Sequence, residues 1–244
     1  MKIVLCYNYP TENYGSHHSF YADRFVVSYR QNPPLIDHPM IVISSGGRPN
    51  GTAVSQFSFI EGAQFIETDN EGWDCCNYVK ASRQLSCDLM FCCGTPCYFK
   101  RPGWLRRISE VWNQFGPGMY GTLATYEHGP FWRNGPINPH INTTGFAVPP
   151  SFLRSYPRRI VTREDRYAFE HGPDALFRQL QRAGLPVMLI TWSGVYPIEL
   201  WREPVNGYRS GDQSDCMTFW SHTDEYEIAS PDLKARMKRA SDGM

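Results

Sequence analysis

Glu170 stands in Arg166-Tyr-Ala-Phe-Glu-His-Gly172, behind two aromatic residues and ahead of His171-Gly172-Pro173. A carboxylate that such a loop turns into a cleft is suited to taking a proton from a hydroxyl, the work of a general base. The same residue also fits an ordinary acid ahead of a helix, paired at the surface with Arg166. Asp212, in Arg209-Ser-Gly-Asp-Gln213, is a further carboxylate in a turn-like setting, and a Gly-Asp turn accounts for it cheaply. Six of the eight cysteines fall between Cys75 and Cys97, which invites a metal reading. Zinc sites are built from paired C-x2-4-C halves, whereas Cys75-Cys76 and Cys92-Cys93 are adjacent and Cys93-x3-Cys97 has no second half. Buried, reduced thiols acting as small hydrophobes fit the spacing better, as at the end of Leu89-Met90-Phe91. His17-His18 lacks a Glu-x-x-His context, which excludes a zincin. Neither G-x-G-x-x-G, G-x4-G-K-[ST] nor G-x-S-x-G occurs, which argues against a dinucleotide fingerprint, a P-loop and a hydrolase elbow.

These side chains need a frame, and the apolar runs outline one. Lys2 to Tyr7, Met40 to Ile43, Ala63 to Ile66 and Asp88 to Cys92 are strand-length and end at Pro, Gly or polar residues. Helical spacing is expected from Phe20 to Tyr29, and the segment Trp73 to Leu85 lacks Pro and Gly. Trp104, Leu105, Ile108, Val111, Trp112 and Phe115 share one helical face after Pro102, which places both tryptophans in the core. Strands are expected again at 120–125, 141–148 and 185–191, and helices at 173–183 and 231–240. This alternation is that of an α/β domain, in which ligands bind beyond the carboxyl ends of the strands. With 244 residues, 41% of them hydrophobic, the chain can bury a sizeable core, and disorder is excluded. The 24 Lys+Arg balance the 24 Asp+Glu, so neither a globally basic nucleic-acid binder nor an acidic solvating tail is expected. No apolar run approaches the roughly 18 residues of a membrane span, and no secretory leader is visible. The expectation is a cytoplasmic protein with no membrane partner.

The order of the segments resembles the GT-A fold of nucleotide-sugar glycosyltransferases over roughly residues 1–225. Asn70-Glu-Gly-Trp-Asp74 looks like the Gly-containing segment that opens a helix after the third strand. Cys87 to Phe99 looks like the strand and turn that carry the metal-binding Asp-x-Asp, and Arg101-Pro-Gly-Trp-Leu105 like the helix beside it. His140-Ile-Asn-Thr-Thr-Gly-Phe146 resembles a strand facing the acceptor, and Arg166 to Gly172 the segment that supplies a base. The resemblance implies one Rossmann-like α/β domain with a mixed central sheet, flanking helices and a loop-rich C-terminal half. Residues 1–99 would form its nucleotide-sugar half, 100–225 its acceptor half and 226–244 a helical tail.

The implied activity is transfer of a hexosyl or pentosyl group from a nucleotide-sugar, a UDP-sugar foremost, to a hydroxyl, with Glu170 as base. On the donor side the resemblance points to Tyr7, Asn8, Ser45, Asn70 and Gly72. It points there also to Thr95, Pro96, Cys97 and Arg209, and to Asp74 as a contact to the base or ribose. A first-turn acid favoured by the helix dipole accounts for Asp74 equally well. On the acceptor side are Trp132, His140, Asn142, Thr143 and His171. The chain departs from the family where Asp-x-Asp should stand, at Gly94-Thr-Pro-Cys97, so a Mn²⁺ or Mg²⁺ role is in doubt. His222 is the weak metal candidate, and Lys100, Arg202, Arg209 or His222 are candidates for meeting the leaving diphosphate instead.

Nine of the basic residues lie in two stretches, 100–107 and 154–166. A basic face beside aromatics would suit a glycan, a small molecule or a phosphate-rich acceptor, including a hydroxymethylated base of DNA. Solvated Arg–carboxylate pairs are the plainer reading. Two other classes stay open: a non-catalytic nucleotide- or glycan-binding domain, and a cysteine-rich metal or redox protein.

Overall fold

The computed structural model describes residues 1–11, 17–127 and 137–244. The first half alternates strictly, as β1 (Ile3–Pro10), α1 (His17–Gln31), β2 (Met40–Ser45), α2 (Gly51–Phe57), β3 (Gln64–Thr68), α3 (Trp73–Ser82), β4 (Leu89–Cys93) and α4 (Trp104–Phe115). Short strands follow: β5 (Met119–Gly121), β6 (Ala124–Thr125), β7 (His140–Ile141) and β8 (Gly145–Val148). Three helices come next, α5 (Pro150–Arg154), α6 (Arg163–His171) and α7 (Leu176–Arg182), then β9 (Val187–Ile190) and β10 (Val195–Pro197). Helices α8 (Ser221–Ile228) and α9 (Pro231–Ser241) close the chain.

Eight strands form one sheet in the order β3-β2-β1-β4-β8-β5-β9-β10, and β6 and β7 form a separate ribbon. Strands β1 to β4 are mutually parallel, whereas β8 runs antiparallel to both β4 and β5. The chain therefore adopts the expected α/β class, with a mixed central sheet between helices. The period of two along β1 separates its faces. Val4 and Cys6 pack with Cys75, Tyr78, Leu153, Phe169 and Phe177 of α3, α5, α6 and α7. Leu5 and Tyr7 pack with Phe25, Phe57, Trp104 and Ile108 of α1, α2 and α4. Such double cover explains why the parallel strands read as continuous apolar runs.

All eight cysteines are free, seven of them buried and Cys87 half-buried. Burial pushes the thiols of Cys6, Cys75, Cys92 and Cys93 well above their ordinary range, as expected for packing groups. Trp104 is fully buried and stacks on Phe99 with ring centroids 3.8 Å apart.

Several elements differ from the sequence reading: α5, β10 and α8 have no counterpart in it, and the strands expected at 120–125 and 141–148 are each split in two. Helix α2 was not expected; its signal is Asn50, whose side chain accepts from the Ala53 N–H at 2.8 Å. Helix α6 replaces the loop expected around Glu170. Thr162 and Asp165 form a capping box that starts it, and Gly172 ends it, so Glu170 lies in its last turn. The helix expected from residue 173 starts three residues later, at Leu176. The boundary drawn at residue 225 falls inside α8. Among the described residues no helix is long and apolar enough to cross a membrane.

Candidate functional site

The strand order reverses between β1 and β4, where the chain leaves β1 towards β2 but later returns on the other side. At such a switch point the carboxyl ends of the two strands part and leave a crevice. Here the crevice is a chamber of about 500 Å³, lined among others by Asn8, Asn70, Asp74, Thr95, Arg163 and Arg166. Its floor is a chain of neutral hydrogen bonds across the strand ends. Asn77, fully buried on α3, donates to Asn8 Oδ1 at 3.1 Å and to Ser45 Oγ at 2.7 Å. Ser45 in turn donates to Asn70 Oδ1 at 2.5 Å, and Thr95 Oγ1 to the Asn8 carbonyl at 2.9 Å.

Gly94 lets the β4 turn lie against β8: its N–H donates to the Thr144 carbonyl at 2.9 Å, and a Cβ would stand 3.2 Å from Thr144 Cα. Trp73, also in the wall, holds a φ of +55°, an uncommon conformation for a bulky residue and one often found at sites. The Pro96 carbonyl of the same turn accepts from Arg24, which also pairs with Asp224 at 2.5 Å. That tie fastens α8 over the β4 turn and brings Trp220, the residue before α8, to the chamber.

A second chamber of about 270 Å³ adjoins the first, and Arg166 and Trp220 line both. Glu127, His140, Asn142, Glu170, His171 and His222 also face it. Glu170 is only 7% exposed, and its carboxylate is held from two sides. Thr143 donates to Oε1 through its N–H at 2.9 Å and its hydroxyl at 3.1 Å, and His171 Nε2 lies 3.3 Å from Oε2. Burial pushes this carboxyl up, yet His171, Arg166 and His140 together outweigh it and hold Glu170 well below the usual carboxylate range. Burial beside His171 lowers His140 to about 3, so its ring is neutral near pH 7. The charge of Asp74, whose Oδ1 accepts from Arg166 Nε at 2.9 Å, holds that guanidinium's pKa well above its ordinary value.

The expected donor residues divide. Asn8, Asn70, Asp74, Thr95 and Pro96 line the first chamber. Tyr7 does not: it is fully buried and donates to the Thr95 carbonyl at 2.7 Å. Ser45 supports Asn70 from beneath, and Cys97 is fully buried. Gly72 caps α3 at φ +67°, where a Cβ would come within 2.3 Å of the Ile160 carbonyl oxygen; its role there is close packing. Arg209 does not line the first chamber; it pairs at 3.0 Å with Glu127, which lines the second. Of the expected acceptor residues, His140, Asn142 and His171 line the second chamber, and Thr143 acts behind it on Glu170. Trp132 lies outside the described residues.

Arg163 and Arg166, counted in the sequence reading within the basic stretch 154–166, were not assigned to the donor side, and neither Trp73, within Asn70–Asp74, nor Trp220 was singled out. The Thr-x-x-Asp box at Thr162 was the available signal for α6 and hence for the arginines on it. His222 faces the second chamber with its ring 4.0 Å from that of Trp220. Its metal role finds no support: among the described residues no three His, Cys, Asp or Glu side chains converge as a ligand group. Lys100 pairs with Glu227, and Arg202 lies over Tyr126, both away from the first chamber. Within the two basic stretches Lys100, Arg106, Arg158, Arg159 and Arg166 each have a carboxylate partner, so much of the expected basic face is neutralised in pairs.

No protein-family model matches the chain, and no curated protein matches it. Similar solved structures include S. aureus TarS, with 12% identity and a TM-score of 0.46 over 68% of this chain and 32% of that one. A TarS 1-349 structure gives 14% and 0.46 over 68% and 53%. Mouse xyloside xylosyltransferase 1, apo form, gives 9% and 0.45 over 76% and 77%. This chain thus spans about a third of the first TarS chain.

Proposed function

We propose that this protein transfers a sugar from a nucleotide-sugar donor, a UDP-sugar foremost, to a hydroxyl of an acceptor. One observation carries the reading. A buried, ionised carboxylate, Glu170, faces a chamber that shares Arg166 and Trp220 with a larger chamber at the switch point of the sheet. In this reading the nucleoside diphosphate occupies the larger chamber, where Asn8, Asn70 and Asp74 offer polar groups to a base or ribose. The sugar lies at the junction, against the indole of Trp220, and the acceptor hydroxyl enters beside Glu170.

The acceptor oxygen then attacks the anomeric carbon from the second chamber as the bond to the diphosphate breaks. A group with so low a pKa is a weak base, but it stays ionised. In an oxocarbenium-like transition state the attacking hydroxyl becomes acidic as its bond forms, so a weak base that is already in place suffices. Thr143 and His171 hold the carboxylate in one orientation for that step.

The test is Glu170→Gln, which keeps the shape and removes the charge. Turnover, followed as nucleoside diphosphate released from a panel of nucleotide-sugars, should fall by about 10³-fold while donor affinity stays within about twofold. Near wild-type turnover removes Glu170 from the mechanism. Donor binding with no turnover in the wild-type protein, whatever acceptor is offered, converts the reading to a binding domain.

A further inference from the structure

The diphosphate of such a donor leaves with one more negative charge than it carries while esterified, and that charge has to be met in the chamber. A divalent cation bridging the phosphates requires hard oxygen ligands. The donor set here does not fit one. Among the described residues Asp74 is the only carboxylate lining the larger chamber, and Arg166 already holds its Oδ1. The turn after β4 offers Thr95, whose hydroxyl donates to the Asn8 carbonyl, and Cys97, which is fully buried.

The same wall does carry two guanidinium groups, one helical turn apart on α6. Arg166 uses Nε for Asp74, and among the described residues neither of its Nη groups has a hydrogen-bond partner. Arg163 is exposed towards the chamber, donates from Nη2 to the Tyr167 hydroxyl at 3.2 Å, and has no carboxylate partner among the described residues. We infer that Arg163 and Arg166 bind the diphosphate directly, so that donor binding and departure of the nucleoside diphosphate need no divalent cation. This rests on the glycosyl-transfer reading above.

In the step itself the bond from the anomeric carbon to the diphosphate oxygen breaks, and its electron pair stays on that oxygen. The acceptor oxygen supplies the pair for the new bond, and its proton passes to Glu170. The developing charge meets Nη groups already in position, and Asp74 keeps the Arg166 side chain from swinging away. Planar, always-charged guanidinium groups are suited to gripping phosphate oxygens in pairs.

Titration calorimetry of the full chain with UDP, GDP, CDP and TDP, in EDTA and in Mn²⁺, tests this. At least one of them should bind with a Kd that differs by less than about twofold between the two buffers. Arg163→Gln, on an exposed side chain, should weaken that binding in EDTA by about tenfold or more, and Arg163→Lys should recover part of it. Arg159→Gln serves as the control, since Arg159 pairs with Glu71 and does not line the chamber. Binding that requires Mn²⁺, or an Arg163→Gln protein that binds like wild type, overturns the inference and leaves glycosyl transfer standing. No binding of any nucleoside diphosphate in either buffer removes both.

Discussion

The two chambers share a wall but are built in opposite ways. The larger one rests on strand ends, and its floor is a run of neutral amides and hydroxyls, Asn77 to Asn8 and Ser45, Ser45 to Asn70. The smaller one is organised around a single buried charge, Glu170, fixed by Thr143 from β7–β8 and by His171 beside it. A neutral network holds its shape at any pH and offers many polar atoms to a ligand. A buried charge can do chemistry, but it is expensive to keep and makes the fold sensitive to protonation. In the proposed function the larger region serves recognition and the smaller one the reaction, and α6 lines both.

That comparison can be broken most severely at the joint. Gly72→Ala would put a methyl group against the Ile160 carbonyl, at a backbone angle that L residues avoid. We expect a loss of about 2–4 kcal/mol in denaturant unfolding, and impaired donor binding and turnover together, because the irregular segment around Ile160 leads into α6. Unchanged stability would mean that the walls of the two chambers are not coupled through this contact.

Asn77→Leu separates the chambers. It leaves the buried Asn8 Oδ1 and Ser45 Oγ without their donor and should cost about 2 kcal/mol by thermal or chemical unfolding. Donor affinity should fall while the pH dependence of stability stays as in wild type. A change in that pH dependence would contradict the separation.

The smallest effect sharpens the picture of the charged chamber. His140 has its pKa lowered from 6.5 to about 3, so the unfolded chain takes up a proton that the folded protein refuses. Its stabilising contribution is complete above pH 6.5 and is lost as pH falls through that window towards 3. Glu170, also lowered, adds the same sign only below 4.5. Between pH 6.5 and 4.5, therefore, His140→Gln should make the fall of Tm with pH shallower than in wild type. Equal slopes would show that His140 is not shielded from solvent.

The strand ends were legible in the sequence because a parallel strand buried on both faces must be a short apolar run, and its loop must follow at once. Asn8, Asn70, Asp74, Thr95 and Pro96, to which the family resemblance pointed, also stand where that rule puts the crevice. The rule says nothing of which side chains turn down into the core. Tyr7 and Cys97 sit at the right strand ends, yet the first faces α1 and α2 and the second is buried beneath the turn. Glu170 was legible as a residue in unusual company, but not as the end of a helix, since the capping box eight residues earlier carries that information.

By itself the sequence determined the layered α/β class, the reduced and buried cysteines and the strand-end half of the cleft, all of which follow from local periodicity and burial. Only the tertiary structure decided that α6 and the turn after β4 line the same chamber, that Arg163 and Arg166 face it, and that Arg209 does not. Those placements depend on contacts between residues far apart in the chain, such as Gly72 against Ile160 and Arg166 on Asp74. No periodicity records such contacts, because each is set by the packing of whole elements and not by the residues beside it.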